Sequence, residues 1–381
     1  MDSLHQSLSF LQGTCASGVY AVHAEAASWT QALQHYRHDF YHVADYAALC
    51  ARHERSRACA FEARFENARF FMPMLIRRVP AALCSDGEDV YTPYGYSGPL
   101  VEADSPQART DAVYEGLACL RDVLHTLGMV SVFIRWHPLL TPIPDRLPER
   151  TSACLHGEIV VIDLTKPDDR RWHETRRNHR QNIDRLQKEG FRTVFDSSPA
   201  AIAAFAGMYR RTMQRVAASD YYYFSEEYIF ELMRIRGADT QLCLVLRDGE
   251  AVCGGLFVAS GDNLTCHLSA TESAYLPLSP AKLMFWAASC WGRESGRKIL
   301  NIGGGVGGRS DTPLFRFKQG FSPDRRFFDT VGIVCDAQRY AELCASARQL
   351  CGAEAVDQPA ERYFPPYNFV QSRPLAAQEA A

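Results

Sequence analysis

Two neighbouring segments hold the residues best suited to chemistry. The run Gly303-Gly304-Gly305-Val306-Gly307-Gly308-Arg309-Ser310 follows an apolar stretch that ends at Ile302. Glycines of this kind let a backbone approach a substrate or another segment closely. The run fits a GxGxxG dinucleotide pattern, and it nearly fits a P-loop with Arg309 where the lysine belongs. A dinucleotide site needs a full helix at that loop, and a P-loop needs its lysine on the phosphates. Pro313 and Pro323 leave no room for such a helix, so a substrate-contacting or structural turn is the better reading. Just downstream, Leu314-Phe315-Arg316-Phe317-Lys318-Gln319-Gly320-Phe321 sets Lys318 among aromatic residues. An ammonium there is partly desolvated and placed to hold an anion.

A third segment, residues 170–192, carries eight Arg or Lys against three acids. On a helix, Arg176, Arg180 and Asn182 fall within two turns, where they could meet phosphates or form a solvated face. Tyr91–Pro99 is a loop of Tyr, Gly and Pro in which Tyr94 and Tyr96 offer hydroxyls on rigid rings. Tyr221-Tyr222-Tyr223-Phe224 is a second aromatic cluster. His35, His38 and His42 with Asp39 and Asp45 share a helical spacing, but no second ligand cluster follows, and no metal is expected. There is no GxSxG elbow, no HExxH and no CxxC, and none of the thirteen cysteines stands out as a nucleophile.

The elements that must position these residues repeat. Residues 58–80 alternate apolar and polar side chains around Glu66-Asn67, and 240–260 do so around Asp248-Gly249, which suits a tight hairpin. Each hairpin is followed by a strand-like segment (90–96 and 263–270), a helical one (109–127 and 279–295) and a short strand (130–135 and 298–302). The pattern predicts an α/β (α+β) fold of two similarly built domains, each a mixed, mostly antiparallel sheet flanked by helices. The expected boundaries are 17–150, 151–350 and a C-terminal extension 351–381 whose end is disordered. A Pro-rich connector (137–148) joins the halves. The second half is expected to open with a strand at 158–164, then one helix over 168–189 and two more at 200–216 and 225–236.

Composition narrows the class. The chain has 381 residues, 47% of them hydrophobic, a formal charge of −3, and no run of about 18 uncharged apolar residues. There is no global pull toward DNA, no membrane span and no leader pattern, and the cysteine count does not read as a disulfide framework. The reading is a reduced, cytoplasmic protein. Nothing in the sequence fixes the oligomeric state, and a monomer is consistent with two halves burying surface on each other.

Taken in order, these pieces resemble the Fem-like branch of the GNAT acyltransferase superfamily. The likeness spans about residues 20–340 and rests on Leu300–Gly305, Phe317-Lys318 before Gly320-Phe321, Arg176-x-Asn178-x-Arg180-x-Asn182, Tyr209-x-x-Thr212, Tyr222–Phe224, Ser279-Pro280, Asp39-x-Tyr41-His42 and Tyr94-Gly95-Tyr96-x-Gly98-Pro99. The resemblance implies two GNAT-like domains and acyl transfer to an amine. Its founding members move an amino acid from aminoacyl-tRNA to a peptidoglycan precursor, and relatives act on peptides or small natural products. It therefore implies tRNA as a transient partner and an amine-bearing peptide or small molecule as acceptor, with no further cofactor. Acyl-CoA is the alternative donor, and a non-catalytic GNAT-like binding module the alternative class.

By the same resemblance Lys318 contacts the donor or the oxyanion. Arg176, Arg180, Asn182, Phe317 and Ser279 would hold the donor, and Tyr94, Tyr96, Tyr209, Tyr222, Tyr223 and Gly303, Gly304 and Gly305 the substrate. Asp311 is the candidate proton acceptor, a choice no family pattern supports. Two departures stand out. The helical-hairpin arm of some members has no room between Arg234 and Asp239, and the pyrophosphate loop of acetyl-CoA enzymes is replaced by the glycine-free Glu272–Ser279.

Overall fold

The computed structural model describes residues 11–84, 86–356 and 364–372. Its contacts divide the chain into a first unit of residues 1–156 and 328–381 and a second of 157–327. The sequence reading drew its line at 150 and ran the second domain to 350; the contacts return the chain to the first unit at Phe328. No helix among the described residues is long and apolar enough to cross a membrane. The end of the expected extension, from Arg373, lies outside the described residues.

In the first unit, β1 (Gln12–Cys15) and β2 (Gly18–His23) form a hairpin, and α1 (Ala26–Leu33) and α2 (Ala44–Glu54) follow. Then come β3 (Arg57–Arg64), β4 (Ala68–Arg78), β5 (Glu88–Tyr91), β6 (Leu100–Ala103), α3 (Pro106–Thr126) and β7 (Met129–Arg135). Strands β2 to β5 pair antiparallel in sequence order, and β5 pairs parallel with β7 across the α3 crossover. The core lies between α3 and the sheet, with Phe61, Phe70, Met72, Leu117 and Val132 fully buried.

The second unit takes over within β8 (Thr151–Asp163). It continues with α4 (Asp168–Glu174), α5 (Arg177–Lys188), β9 (Arg192–Phe195), α6 (Pro199–Arg215) and α7 (Glu226–Leu232). Next are β10 (Asp239–Arg247), β11 (Glu250–Ser260), β12 (Asn263–Thr271), α8 (Ala281–Glu294), β13 (Ile299–Gly304) and α9 (Pro313–Lys318). Strand β14 (Arg325–Val334) leads back to the first unit, where it pairs with β7, and α10 (Ala337–Cys351) and the short α11 (Ala353–Val356) follow. The second sheet has the order β8-β13-β12-β11-β10-β9, and its one parallel contact, β12 with β13, is bridged by α8. The β-β-β-α-β series expected twice is therefore present twice.

Local chemistry explains these boundaries. Asp248 and Gly249 have φ of 53° and 86°, which turns β10 back into β11. Helices α3, α6 and α9 each start with proline, just after a Ser or Thr whose hydroxyl accepts a backbone N–H: Ser105 from Ala108, Ser198 from Ala201, Thr312 from Phe315. The helix expected over 168–189 is broken. Thr175 and Arg176 are extended because Arg176 N donates to Gly320 O at 2.7 Å, a tertiary bond that replaces the helical one. The helix at 225 is shorter than expected and ends at Leu232, and the strand expected to reach Tyr96 stops at Tyr91 before Pro93.

Gly116 tests the tightness of the first core. A Cβ there would lie 2.3 Å from the Phe70 ring. In an open helix Gly→Ala gains about 0.5–1 kcal/mol. Here Gly116→Ala is expected to lose about 1–3 kcal/mol through overpacking, measured by denaturant unfolding.

Candidate functional site

The site begins where two strands stop pairing. Strands β12 and β13 are joined only at Asn263–Ile299, Leu264–Leu300 and Thr265–Asn301. Both run on past these rungs, to Thr271 and Gly304, and the sheet opens into a wedge. On the other side of β12 the register with β11 shifts: Leu256 faces Leu268 and Phe257 faces Cys266, so His267 is the extra residue of a bulge. Burial pushes the His267 imidazole down to about 3 and the Cys266 thiol up to about 12, so both are neutral at physiological pH.

Lys318 occupies the last turn of α9 and donates from Nζ to Gly304 O at 2.8 Å. Burial lowers its ammonium to about 8, with the Cys266 thiol nearby. The glycines set this geometry. Gly303 has φ 74° and donates its N–H to Asn301 Oδ1 at 2.8 Å. A Cβ on Gly304 would lie 2.4 Å from Glu158 O, and one on Gly305 2.0 Å from Arg309 O. The glycine run is followed by a single turn at Val306–Gly308 and the six-residue α9, so a nucleotide-binding helix is absent there.

Helix α5 clamps the same segment. Beyond the Arg176–Gly320 bond, the buried His179 lies with Nε2 3.0 Å from Phe317 O, and its ring packs 5.4 Å from Phe317 and 4.9 Å from Phe321. Gly320 is needed there, since a Cβ would fall 2.3 Å from His179 Nε2. Burial holds the imidazole at about 4, so it is neutral and carries one ring proton, with Nε2 facing Phe317 O and Nδ1 lying 2.9 Å from Asn178 Oδ1.

Positive charge collects beside the start of α8. Burial lowers the Lys282 ammonium, and the neighbouring Arg185 and Arg176 lower it further. Arg325 is lowered by burial, with Arg176 again among the causes. Unlike α3, α6 and α9, α8 has no side-chain cap: Ser279 has φ 55° and Pro280 stands at the N-cap. Asn182 Nδ2 donates to Leu278 O at 3.1 Å, while Asn182 Oδ1 and Arg180 Nε are buried without a hydrogen-bond partner among the described residues. Cations beside an uncapped helix start form a surface fitted to anions.

The remaining expected residues are more scattered. Asp311 is exposed on the loop before α9 and pairs with Arg309 at 3.0 and 2.6 Å, which holds its carboxyl below the usual range. It is a poor proton acceptor. Tyr209 is buried and donates to Tyr222 O at 3.0 Å, so it fixes the 220–224 loop, while Tyr222 is exposed and Tyr223 half-buried. Phe317 belongs to the apolar layer with Phe285 and Phe321. Tyr94 and Tyr96 lie in the first unit. There Tyr94 O accepts from Tyr46 Oη at 2.9 Å, and Tyr96 packs on Tyr41, His137 and Phe328. Among the described residues no group of three or more His, Cys, Asp or Glu could hold a metal; His42 and His137 instead bond Gly98 O and Asp39. Sequence reasoning passed over His179, Lys282 and the Cys266–His267 bulge.

Residues 173–318 match the family described as the acetyltransferase (GNAT) domain. None of the curated proteins is similar enough to count as a match. Among solved structures the chain is similar to FemX, with a TM-score of 0.59 at 14% identity over 81% of this chain and 96% of that one. It is also similar to a conserved protein of unknown function from Bacteroides thetaiotaomicron, with a TM-score of 0.51 at 8% identity over 81% of this chain and 97% of that one. At such identities the likeness concerns the fold. Residues 173–318 thus match a GNAT domain, and the chain shares the fold of FemX.

Proposed function

We propose that the second unit transfers an acyl group from an activated carrier to a neutral amine, with aminoacyl-tRNA as the donor and a peptide or small molecule as the acceptor. The observation that carries this reading is the Lys318 ammonium, held on Gly304 O in the wedge between β12 and β13. When an amine attacks an ester carbonyl, charge develops on the carbonyl oxygen. An ammonium with lowered hydration, aimed from a fixed helix turn, stabilises that charge without reorganising. The C–O bond to the carrier then breaks, the amide forms, and one proton passes net from the amine nitrogen to the leaving oxygen. The neutral His267 and Cys266 nearby add no competing charge.

Arg176, Arg180, Arg185 and Lys282 beside the α8 start would take the donor's phosphates. The segment before α8 is a 3-10 turn over Ser273–Leu278 with no glycine, which disfavours the pyrophosphate cradle of acetyl-CoA enzymes. This supports the tRNA-linked donor over acyl-CoA. Asp311 has no part in the proposal, because it is exposed and occupied by Arg309.

Four outcomes follow. Charged tRNA should support transfer to an amine panel, RNase should abolish it, and acetyl-CoA should fail to replace it; transfer from the thioester alone would name the other donor. Lys318→Met should lower kcat by about 10²–10³-fold with little change in donor KM. In wild type, amine-selective labelling of Lys318 should titrate near pH 8, and transfer should fall above that pH as the ammonium loses its charge. Arg176→Ala with Arg180→Ala should weaken donor binding and reduce its salt slope by about one to two, read from binding at graded salt.

A further inference from the structure

We infer that His179 is a positioning residue for transfer: it holds the Phe317 carbonyl and so fixes where the Lys318 ammonium stands in the wedge. The inference rests on the acyl-transfer reading for its effect on rate, but not for its effect on Lys318 itself.

The geometry is direct. The last turn of α9 ends at Lys318, where helix carbonyls lose their intrahelical donors. Phe317 O, one residue before Lys318, accepts from Gly320 N at 3.0 Å and also faces His179 Nε2 at 3.0 Å. The imidazole is 3% exposed and is wedged between the rings of Phe317 and Phe321 over the backbone of Gly320. Three residues N-terminal, at the break between α4 and α5, Arg176 N donates to Gly320 O. The chain immediately before and after Lys318 is therefore tied to α5 by two hydrogen bonds and one ring.

Phe317 and Lys318 are consecutive in one helical turn. A shift of the Phe317 carbonyl moves the Lys318 Cα with it and draws Nζ off Gly304 O. Among the charged and titratable groups around this pair, Cys266 faces Lys318 from β12, while Arg176 and Lys282 face His179 from the start of α5 and from α8. Burial above all, and these cations after it, keep the imidazole neutral with one ring proton, which the inference places on Nε2 toward Phe317 O, leaving Nδ1 toward the Asn178 side-chain amide. Besides the backbone N–H of Gly320, His179 is the side chain that faces Phe317 O. The role is distinct from that of Lys318, because His179 faces the Phe317 carbonyl rather than Gly304 and acts only through the backbone.

The test uses His179→Phe, which keeps a ring over Gly320 but removes the donor, and His179→Gln, whose amide can restore one near the Nε2 position. The probe needs no substrate: trace acetylation of Lys318 by acetic anhydride across pH, read by peptide mass spectrometry. Wild type should show a midpoint near 8. In His179→Phe the freed ammonium gains water, and the midpoint should rise by half a unit or more toward the ordinary lysine value of about 10.4. In the transfer assay, kcat should fall by about tenfold or more with donor KM unchanged, and the alkaline limb should move up by the same shift. His179→Gln should recover part of both. An unchanged Lys318 midpoint in a folded His179→Phe protein overturns the inference. If His179→Phe fails to fold, a wild-type-like midpoint in His179→Gln combined with one equally wild-type-like in His179→Leu overturns it. A shifted midpoint with no transfer by wild type would sink the acyl-transfer reading and leave the positioning role standing.

Discussion

A parallel strand pair that ends after three rungs leaves backbone groups that must find other partners. Between β12 and β13 this constraint organises the second unit. The carbonyl of Gly304, beyond the last shared rung, is satisfied by the Lys318 ammonium rather than by a strand. That substitution requires α9 to dock at the wedge, which requires glycines where the loop passes Glu158 and Arg309. Docking of α9 in turn requires α5 to end its predecessor helix early so that Arg176 N and His179 can reach the 317–320 backbone. A buried ammonium costs hydration, which its hydrogen bond to the Gly304 carbonyl offsets in part.

The parts legible in the sequence were those governed by local rules. The Asp248-Gly249 hairpin and the repeated strand order follow from turn chemistry and period, both of which act within a few residues. The Phe317-Lys318 pair and the basic segment were visible as types, and the structure places Lys318 on Gly304 and Arg176 beside Lys282. The break at Thr175–Arg176 was not legible, because it is set by a hydrogen bond to a residue more than a hundred positions away. The bulge at His267 is likewise a matter of register between neighbours, which composition does not encode. His179 gave one usable signal: it shares a helix face with Arg176, and a glycine lies in the facing segment at Gly320. Asp311, the candidate proton acceptor, is already claimed by Arg309, two residues away.

The two units share a scaffold but differ at the crossover helix. In the first unit, α3 is closed at its start by the Ser105 hydroxyl, and its parallel strand pair leads into the Tyr94–Pro99 turn. In the second, α8 begins without a side-chain cap, in the company of Arg176, Arg185 and Lys282. The same topology thus ends in one case in a self-satisfied helix and in the other in a surface with unspent hydrogen-bonding and charge capacity. Duplication of a fold does not duplicate its chemistry when capping residues are exchanged.

The chain leaves the first unit at Gly157 and comes back at Phe328, and the returning β14 completes the pairing of β7. On a ribosome, β7 therefore emerges long before the strand that covers its open edge. The second unit, continuous in sequence, is fully synthesised while the first still lacks β14. Its own ends are tied where Val161 N bonds Asp324 O. Vectorial synthesis thus favours a late closure of the first unit, during which the edge of β7 lacks its β14 partner.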